Sequence, residues 1–180
     1  GSWLTKNAES MRRVGTSMSL YVTAPIITGF GLAVREAMGF EKAMRNVNSI
    51  SKLSEEQLAG VTSQVKGLAG EIGKMPLDLA KGLYDIASSG FQAEEGMTVL
   101  RASARGAKAG LSETATAARA LTGILNAYGK SAKDSEAVMD VMFKTVDRGV
   151  ITFDELAQSL GGVVSTAASS GVSIEEVGAA

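Results

Sequence analysis

The chain has 180 residues, 45% of them hydrophobic but only 5% aromatic, with 21 glycines, no cysteine, no histidine and a formal net charge of −1. Without cysteine neither a disulfide framework nor a thiolate metal site can form, and without histidine imidazole-dependent catalysis is excluded within this stretch. Charges of both signs are interspersed, so the chain carries no strong field toward nucleic acid or anionic lipid, and its length suits one ordinary domain or one domain with an extension.

The N-terminus opens Gly1-Ser2-Trp3-Leu4-Thr5, with no basic region leading into a short apolar one, so no secretory signal is read there. Gly1-Ser2 fits a cloning scar. Val14 to Val34 is the longest uncharged stretch, bounded by Arg12-Arg13 and Arg35-Glu36. Its length would suit a bilayer. Its content argues for an irregular or docked segment instead: Thr16, Ser17, Ser19, Thr23 and Thr28 are polar, Gly15, Gly29 and Gly31 loosen a helix, and Pro25 breaks the middle. Pro25 is better placed as the first residue of a helix capped by Thr23 or Ala24 and running toward Val47. Phe30, Val34, Met38 and Phe40 are then expected along or near its buried side.

Ser54-Glu55-Glu56-Gln57 fits a capping box, in which the serine hydroxyl and the glutamine amide each satisfy a backbone donor beside the other. Leu58, Val61, Val65, Leu68 and Ile72 follow at steps of three and four, one apolar stripe on a helix. Gly60, Gly67, Gly70 and Gly73 interrupt it, at a cost of about 1 kcal/mol each relative to alanine. Glycine on a helix lets another backbone approach, so close packing by a neighbour is expected there. Met75-Pro76 ends that helix, and Leu77 to Ser89 begins another with Leu79, Leu83 and Ile86 on its apolar side.

From here a glycine recurs about every twenty residues, at Gly90, Gly110, Gly129, Gly149 and Gly171. Glycine reaches the left-handed conformation that ends a helix, and an apolar residue just after it can fold back onto the last turn. Start signals follow: Ser112-Glu113, Ser131 with Asp134, Thr152 with Asp154 and Glu155, and Ser173 with Glu175 and Glu176. Between them run the stripes Ala93, Met97, Leu100, Ala104 and Ala107; Ala118, Leu121, Leu125 and Tyr128; Val138, Met142 and Val146 with Met139 and Phe143; and Phe153, Leu156, Leu160, Val163 and Ala167. All keep the 3.6-residue period. The fold class read from this is all-α, a compact multi-helix bundle of short antiparallel helices in helix-turn-helix units. An internal echo, Ala87-Ser88-Ser89-Gly90-Phe91 before Glu94-Glu95 and Ala168-Ser169-Ser170-Gly171-Val172 before Glu175-Glu176, reads as duplicated turn chemistry, since a solenoid needs about three or more repeats.

Glu94-Glu95, Glu113, Asp154-Glu155 and Glu175-Glu176 are the carboxylates that could pair for catalysis or a metal. Each sits in the first turn of an expected helix, where negative charge opposes the dipole, and capping is the preferred reading. Arg101, Arg105 and Lys108 align on one helix face, with Arg119 on the next. They read as a solvated face, since no aromatic stacking residue or base-reading motif accompanies them. Gly29-Phe30-Gly31 lacks the third glycine of a dinucleotide loop, and no phosphate-loop lysine occurs. Ser88-Ser89 and Ser169-Ser170 have no histidine to activate them. No catalytic, cofactor-binding or metal-binding residue is assigned, no cofactor is expected, and the chain is not read as an enzyme.

The ordered phrases Tyr21-Val22-Thr23-Ala24-Pro25-Ile26, Phe40-Glu41-Lys42-Ala43-Met44-Arg45-Asn46-Val47, Leu83-Tyr84-Asp85-Ile86-Ala87-Ser88-Ser89-Gly90-Phe91, Gly149-Val150-Ile151-Thr152-Phe153-Asp154-Glu155-Leu156 and Ala168-Ser169-Ser170-Gly171-Val172 together resemble the core region of phage tail tape measure proteins, from tailed phages and prophages. The resemblance implies a structural virion protein. Such proteins set tail length during assembly, occupy the tube lumen after assembly in the host cytoplasm, bind tail-tube and tail-tip proteins and tail assembly chaperones, and leave ahead of the DNA at genome ejection. Self-association and contact with the host membrane are further implied partners; sequence-specific nucleic acid binding is not. Residues 1–50 are expected to form an N-terminal apolar segment and linking helix, and residues 51–180 the α-helical core domain.

As a single helix 180 residues would span about 270 Å, whereas a compact domain of that length has a radius of gyration of about 16 Å. The glycines and caps favour the compact form, a docking or assembly module rather than the measuring rod. The ending at Ala179-Ala180, just after a start signal at Ser173, is expected of a piece of a longer protein. The rival reading is a membrane-active helical protein in which Val14 to Val34 inserts and small-residue helices line a passage.

Overall fold

The computed structural model describes residues 24–149 and 151–179. Helix α1 is Ala24–Ser51, α2 Glu55–Ile72, α3 Pro76–Ser88, α4 Ala93–Ala109 and α5 Thr114–Ala127. A 3₁₀ turn, Ala132–Asp134, leads into α6 Ser135–Arg148, followed by α7 Phe153–Ser169 and the short α8 Ile174–Ala179. Among the described residues there is no strand. The all-α reading holds because every expected stripe of the core lies on a helix.

The chain divides into two units, Gly1–Gly39 and Phe40–Ala180. In the first, Pro25 sits in the opening turn of α1 as expected, but Thr23 and residues 14–22 of the uncharged stretch lie outside the described residues, as does the side chain of Phe30. Val34 and Met38 are exposed rather than buried, and the sheltered face of α1 starts only at Phe40, continuing through Met44 and Val47. That step of four and three is the ordinary path of one helix face, displaced from the expected one. No helix among the described residues is long and apolar enough to cross a membrane.

In the second unit α5 is the central helix, packed against α3, α4 and α7. Leu121, Leu125 and Ala118 are buried as their spacing predicts, and so are Ala115, Ala117, Ala120 and Ile124. A helix apolar around most of its circumference belongs inside. Around it stand Leu79, Leu83 and Ile86 of α3, Leu100, Ala104 and Ala107 of α4, Val138 and Met142 of α6, and Phe153, Leu156 and Leu160 of α7. The rings of Phe143 and Phe153 meet at 5.4 Å between centroids. One register is corrected on α7, where Val164 is buried and Val163 is exposed.

The helix ends follow the expected punctuation with two corrections. Gly90, Gly129 and Gly171 have φ of 100°, 59° and 76°, each followed by a residue whose N–H reaches back to close the last turn: Phe91 to Ile86 at 3.3 Å, Lys130 to Leu125 at 2.8 Å and Val172 to Ala167 at 3.0 Å. After α4 the same closure runs from the Ser112 N–H to the Ala107 carbonyl at 2.8 Å, so the left-handed place falls one residue late, on Leu111 with φ 51°. Gly110 keeps an ordinary φ of −84° and serves another purpose. A Cβ there would come within 2.7 Å of the Phe153 Cβ, so only glycine lets α7 start against this turn. Gly149, with φ −90° and ψ 165°, is extended.

Candidate functional site

Side-chain chemistry concentrates at the end of the bundle where the α2–α3, α4–α5 and α6–α7 turns meet. The Lys74 ammonium donates to the Ser112 carbonyl at 2.7 Å and lies 3.1 Å from Asp78 Oδ2. Asp78 accepts both the Thr114 N–H, at 3.1 Å, and the Thr114 hydroxyl, at 2.6 Å. Asp78 thus caps α5 from a different helix, and Glu113, the residue at the cap position, offers no side-chain bond. Ser112, expected to cap α5, turns its hydroxyl toward the Asp154 carboxylate in the first turn of α7. One turn beyond Asp78, Gly82 receives the Thr114 methyl group, which a Cβ at 82 would approach to 2.6 Å.

The remaining carboxylates do what their positions predict in some places and not in others. Glu155 accepts the Thr152 N–H at 2.8 Å and Glu176 the Ser173 N–H at 2.8 Å, while Thr152 and Ser173 return a hydroxyl acceptor to each acid's own N–H. Asp134 accepts the Ser131 N–H at 2.8 Å. These bonds hold the Glu155, Glu176 and Asp134 carboxyls below their ordinary range: for the two glutamates the backbone donor is the largest cause, for Asp134 the Ser131 hydroxyl. Glu94 and Glu95 lie in the first turn of α4, where Gln92 makes no side-chain cap. The echoed phrases therefore share their helix ends and diverge at the restart. Among the described residues no group of three or more acidic side chains is placed to hold a metal ion.

The aligned cations are exposed, as expected, and engaged across helices. Arg101 holds Glu71 through two bonds of 2.8 and 3.0 Å, Arg105 reaches Glu71 at 3.4 Å and Glu136 at 3.2 Å, and Arg119 meets Asp85 at 2.8 Å. The Glu71 carboxyl is lowered, first by its bond to Arg101. Lys108 donates to the Ile72 carbonyl at the end of α2. With Arg101, Arg105 and Arg119 each facing a carboxylate, this surface is a seam between helices.

At the three turns, what the polar groups leave free is apolar. Leu111 is 95% exposed in its left-handed conformation, Met75 is 56% exposed and Ile151 40%, all on the three turns joined by Lys74, Ser112 and Asp154. Along the side, a groove of about 490 Å³ with a mixed polar and apolar lining runs between α5 and α7, with Thr116, Arg119 and Ile124 on one wall and Gln158, Leu160 and Ser165 on the other. The apolar residue after Gly110 was visible in the sequence; its failure to fold back was not, because Gly110 is committed to Phe153.

Comparison with known proteins bears on this arrangement. The family described as phage-related minor tail protein matches residues 62–180. The chain is 28% identical over 179 residues to the probable tape measure protein of Clostridium phage phiCD119, covering 95% of this chain and 19% of that protein. It is 24% identical over 166 residues to the tape measure protein of Pneumococcus phage Dp-1, covering 92% of this chain and 14% of that one. The chain thus spans less than a fifth of the length of these relatives. No solved structure matches it.

Proposed function

Because the chain belongs to the family of phage-related minor tail proteins, we propose that it serves a tape measure protein in tail assembly and tail length determination, as a docking and assembly module rather than as the measuring rod. The observation that carries this reading is how the helices end. Five such closures, after α2, α3, α4, α5 and α7, turn the chain back on itself. The longest described helix has 28 residues and is about 42 Å long. A rod needs helices that continue. This chain stops them with bonded turns and buries α5 among its neighbours.

The partners of this reading are tail-tube and tail-tip proteins, with assembly chaperones in the host cytoplasm and the tube lumen as the final location; residues 51–180 are the part that docks. The exposed apolar turns at Met75, Leu111 and Ile151 are the contact it offers. No catalytic step is invoked. Deleting residues 50–180 in the phage that encodes the chain should block tail initiation, and normal tails of merely reduced length would refute the docking role. A finer test uses Leu111→Gly, which relieves the left-handed backbone at φ 51° while removing the exposed side chain. The variant should fold at least as stably as the parent and assemble fewer tails; full tail yield would remove Leu111 from the contact.

A further inference from the structure

We infer that α2, with the end of α1 packed on it, is a detachable flap held to the bundle by a charged latch at one end, opening about Gly73 while α3 to α7 stay folded. The inference rests on where α2 is bonded, and it does not depend on the docking reading. Among the described residues, no hydrogen bond or ion pair from a side chain joins residues 55–70 to α3 or to anything beyond it. The attachments begin at the last turn: Glu71 to Arg101 and Arg105, the Ile72 carbonyl to Lys108, and Lys74 just past the end. Lys66 faces away from these, its ammonium 5.3 Å from the centre of the Phe40 ring, and so ties α2 to α1.

The rest of the attachment is a narrow apolar line, Val65, Leu68, Ala69 and Ile72, with Leu58 and Val61 only partly covered. Gly60, Gly67 and Gly70 have nothing within 4 Å of where a Cβ would lie, so no neighbour has come close to repay their low helix propensity. Once undocked, α2 has little reason to stay helical, and release and unravelling become one event. Gly73, left-handed at φ 75°, marks the point where the motion stops. The latch is half exposed, with side-chain exposures of 44% for Arg101, 52% for Arg105 and 51% for Glu71, so dissolved salt screens it. Arg105 keeps Glu136 as a second partner when Glu71 leaves. Ionic strength therefore favours opening of α2 without loosening the apolar core around α5, and uncovers the face of α3 and α4 that α2 shelters.

Hydrogen exchange read by mass spectrometry on the 180-residue chain tests this, following peptides from residues 55–72 and 114–127. The α2 amides should exchange about tenfold or more faster than those of α5, a gap expected of sub-global opening. Glu71→Gln should speed α2 about two- to fivefold, the scale of an exposed ion pair. It should also flatten the salt dependence of α2, with α5 still exchanging more slowly than α2. The triple variant G60A/G67A/G70A should slow α2. A common rate for both helices, unchanged α2 exchange in Glu71→Gln, or an undiminished salt dependence in that variant would each overturn the inference.

Discussion

Helices α2 and α5 are both rich in small residues, yet α5 buries nine of its 14 residues and α2 only four of its 18. In α5, alanine is room that neighbours have filled: α3, α4 and α7 all press on it. In α2, glycine is room that nothing has taken. Small side chains permit close approach without causing it, and the outcome depends on whether a helix lies in the middle of the bundle or at its edge. The same contrast separates the glycines of α2 from Gly82 of α3, where Thr114 occupies the space a side chain would need.

The contrast can be tested hardest in the core. Leu121→Ala in α5 should cost about 2–5 kcal/mol in chemical denaturation, the range for a fully enclosed leucine, and Leu68→Ala in α2 clearly less. Equal losses would break the distinction between centre and edge. Next comes Gly82→Ala, which drives a methyl group into Thr114 and should cost about 1–3 kcal/mol. Asp78→Ala removes a cap supplied from another helix and leaves the Thr114 N–H without its partner, for a loss of about 0.5–2 kcal/mol by the same measurement. At the edge the sign reverses, and Gly60→Ala, Gly67→Ala and Gly70→Ala should each raise stability by roughly 0.5–1 kcal/mol.

The smallest effect is in pH. Glu71, Asp134, Glu155 and Glu176 all have carboxyls held below their ordinary values in the fold. On acidification the unfolded chain takes up these protons first, so their contribution is complete above the ordinary carboxylate range and fades as pH falls through it toward the lowered values. A urea midpoint flat from neutral pH to about 5 and declining below is expected. In Glu155→Gln the decline should be shallower, and an unchanged slope would show that the capping box carries none of it.

Much of this was legible in the residues. The box at Ser54 and Gln57 forms, with the Ser54 N–H 2.9 Å from Gln57 Oε1 and the Gln57 N–H 3.2 Å from Ser54 Oγ. Thr152 with Glu155 and Ser173 with Glu176 were equally visible. The errors share a different character. Close packing was expected at Gly60, Gly67 and Gly70, and they face open space. The helical period predicts buried sides for Val34, Met38 and Val163, which are exposed. Ser112 and Glu113 were expected to cap α5, whose cap is Asp78, 36 residues earlier. Each error concerns what stands opposite a residue, which a helical period does not specify.

By itself, then, the sequence determined that the chain is helical, roughly where each helix starts and stops, and which residues close most of the ends. Helix hydrogen bonds and caps join groups three to five positions apart, and those groups are adjacent in the text of the sequence. Tertiary structure alone decided that α5 lies at the centre and α2 at the edge, that Gly110 yields its turn to Leu111 so that Phe153 can fit, and that Glu71 grips two arginines about 30 residues away. Those outcomes depend on which helix faces which, and that is settled only when the whole apolar surface finds its most complete burial.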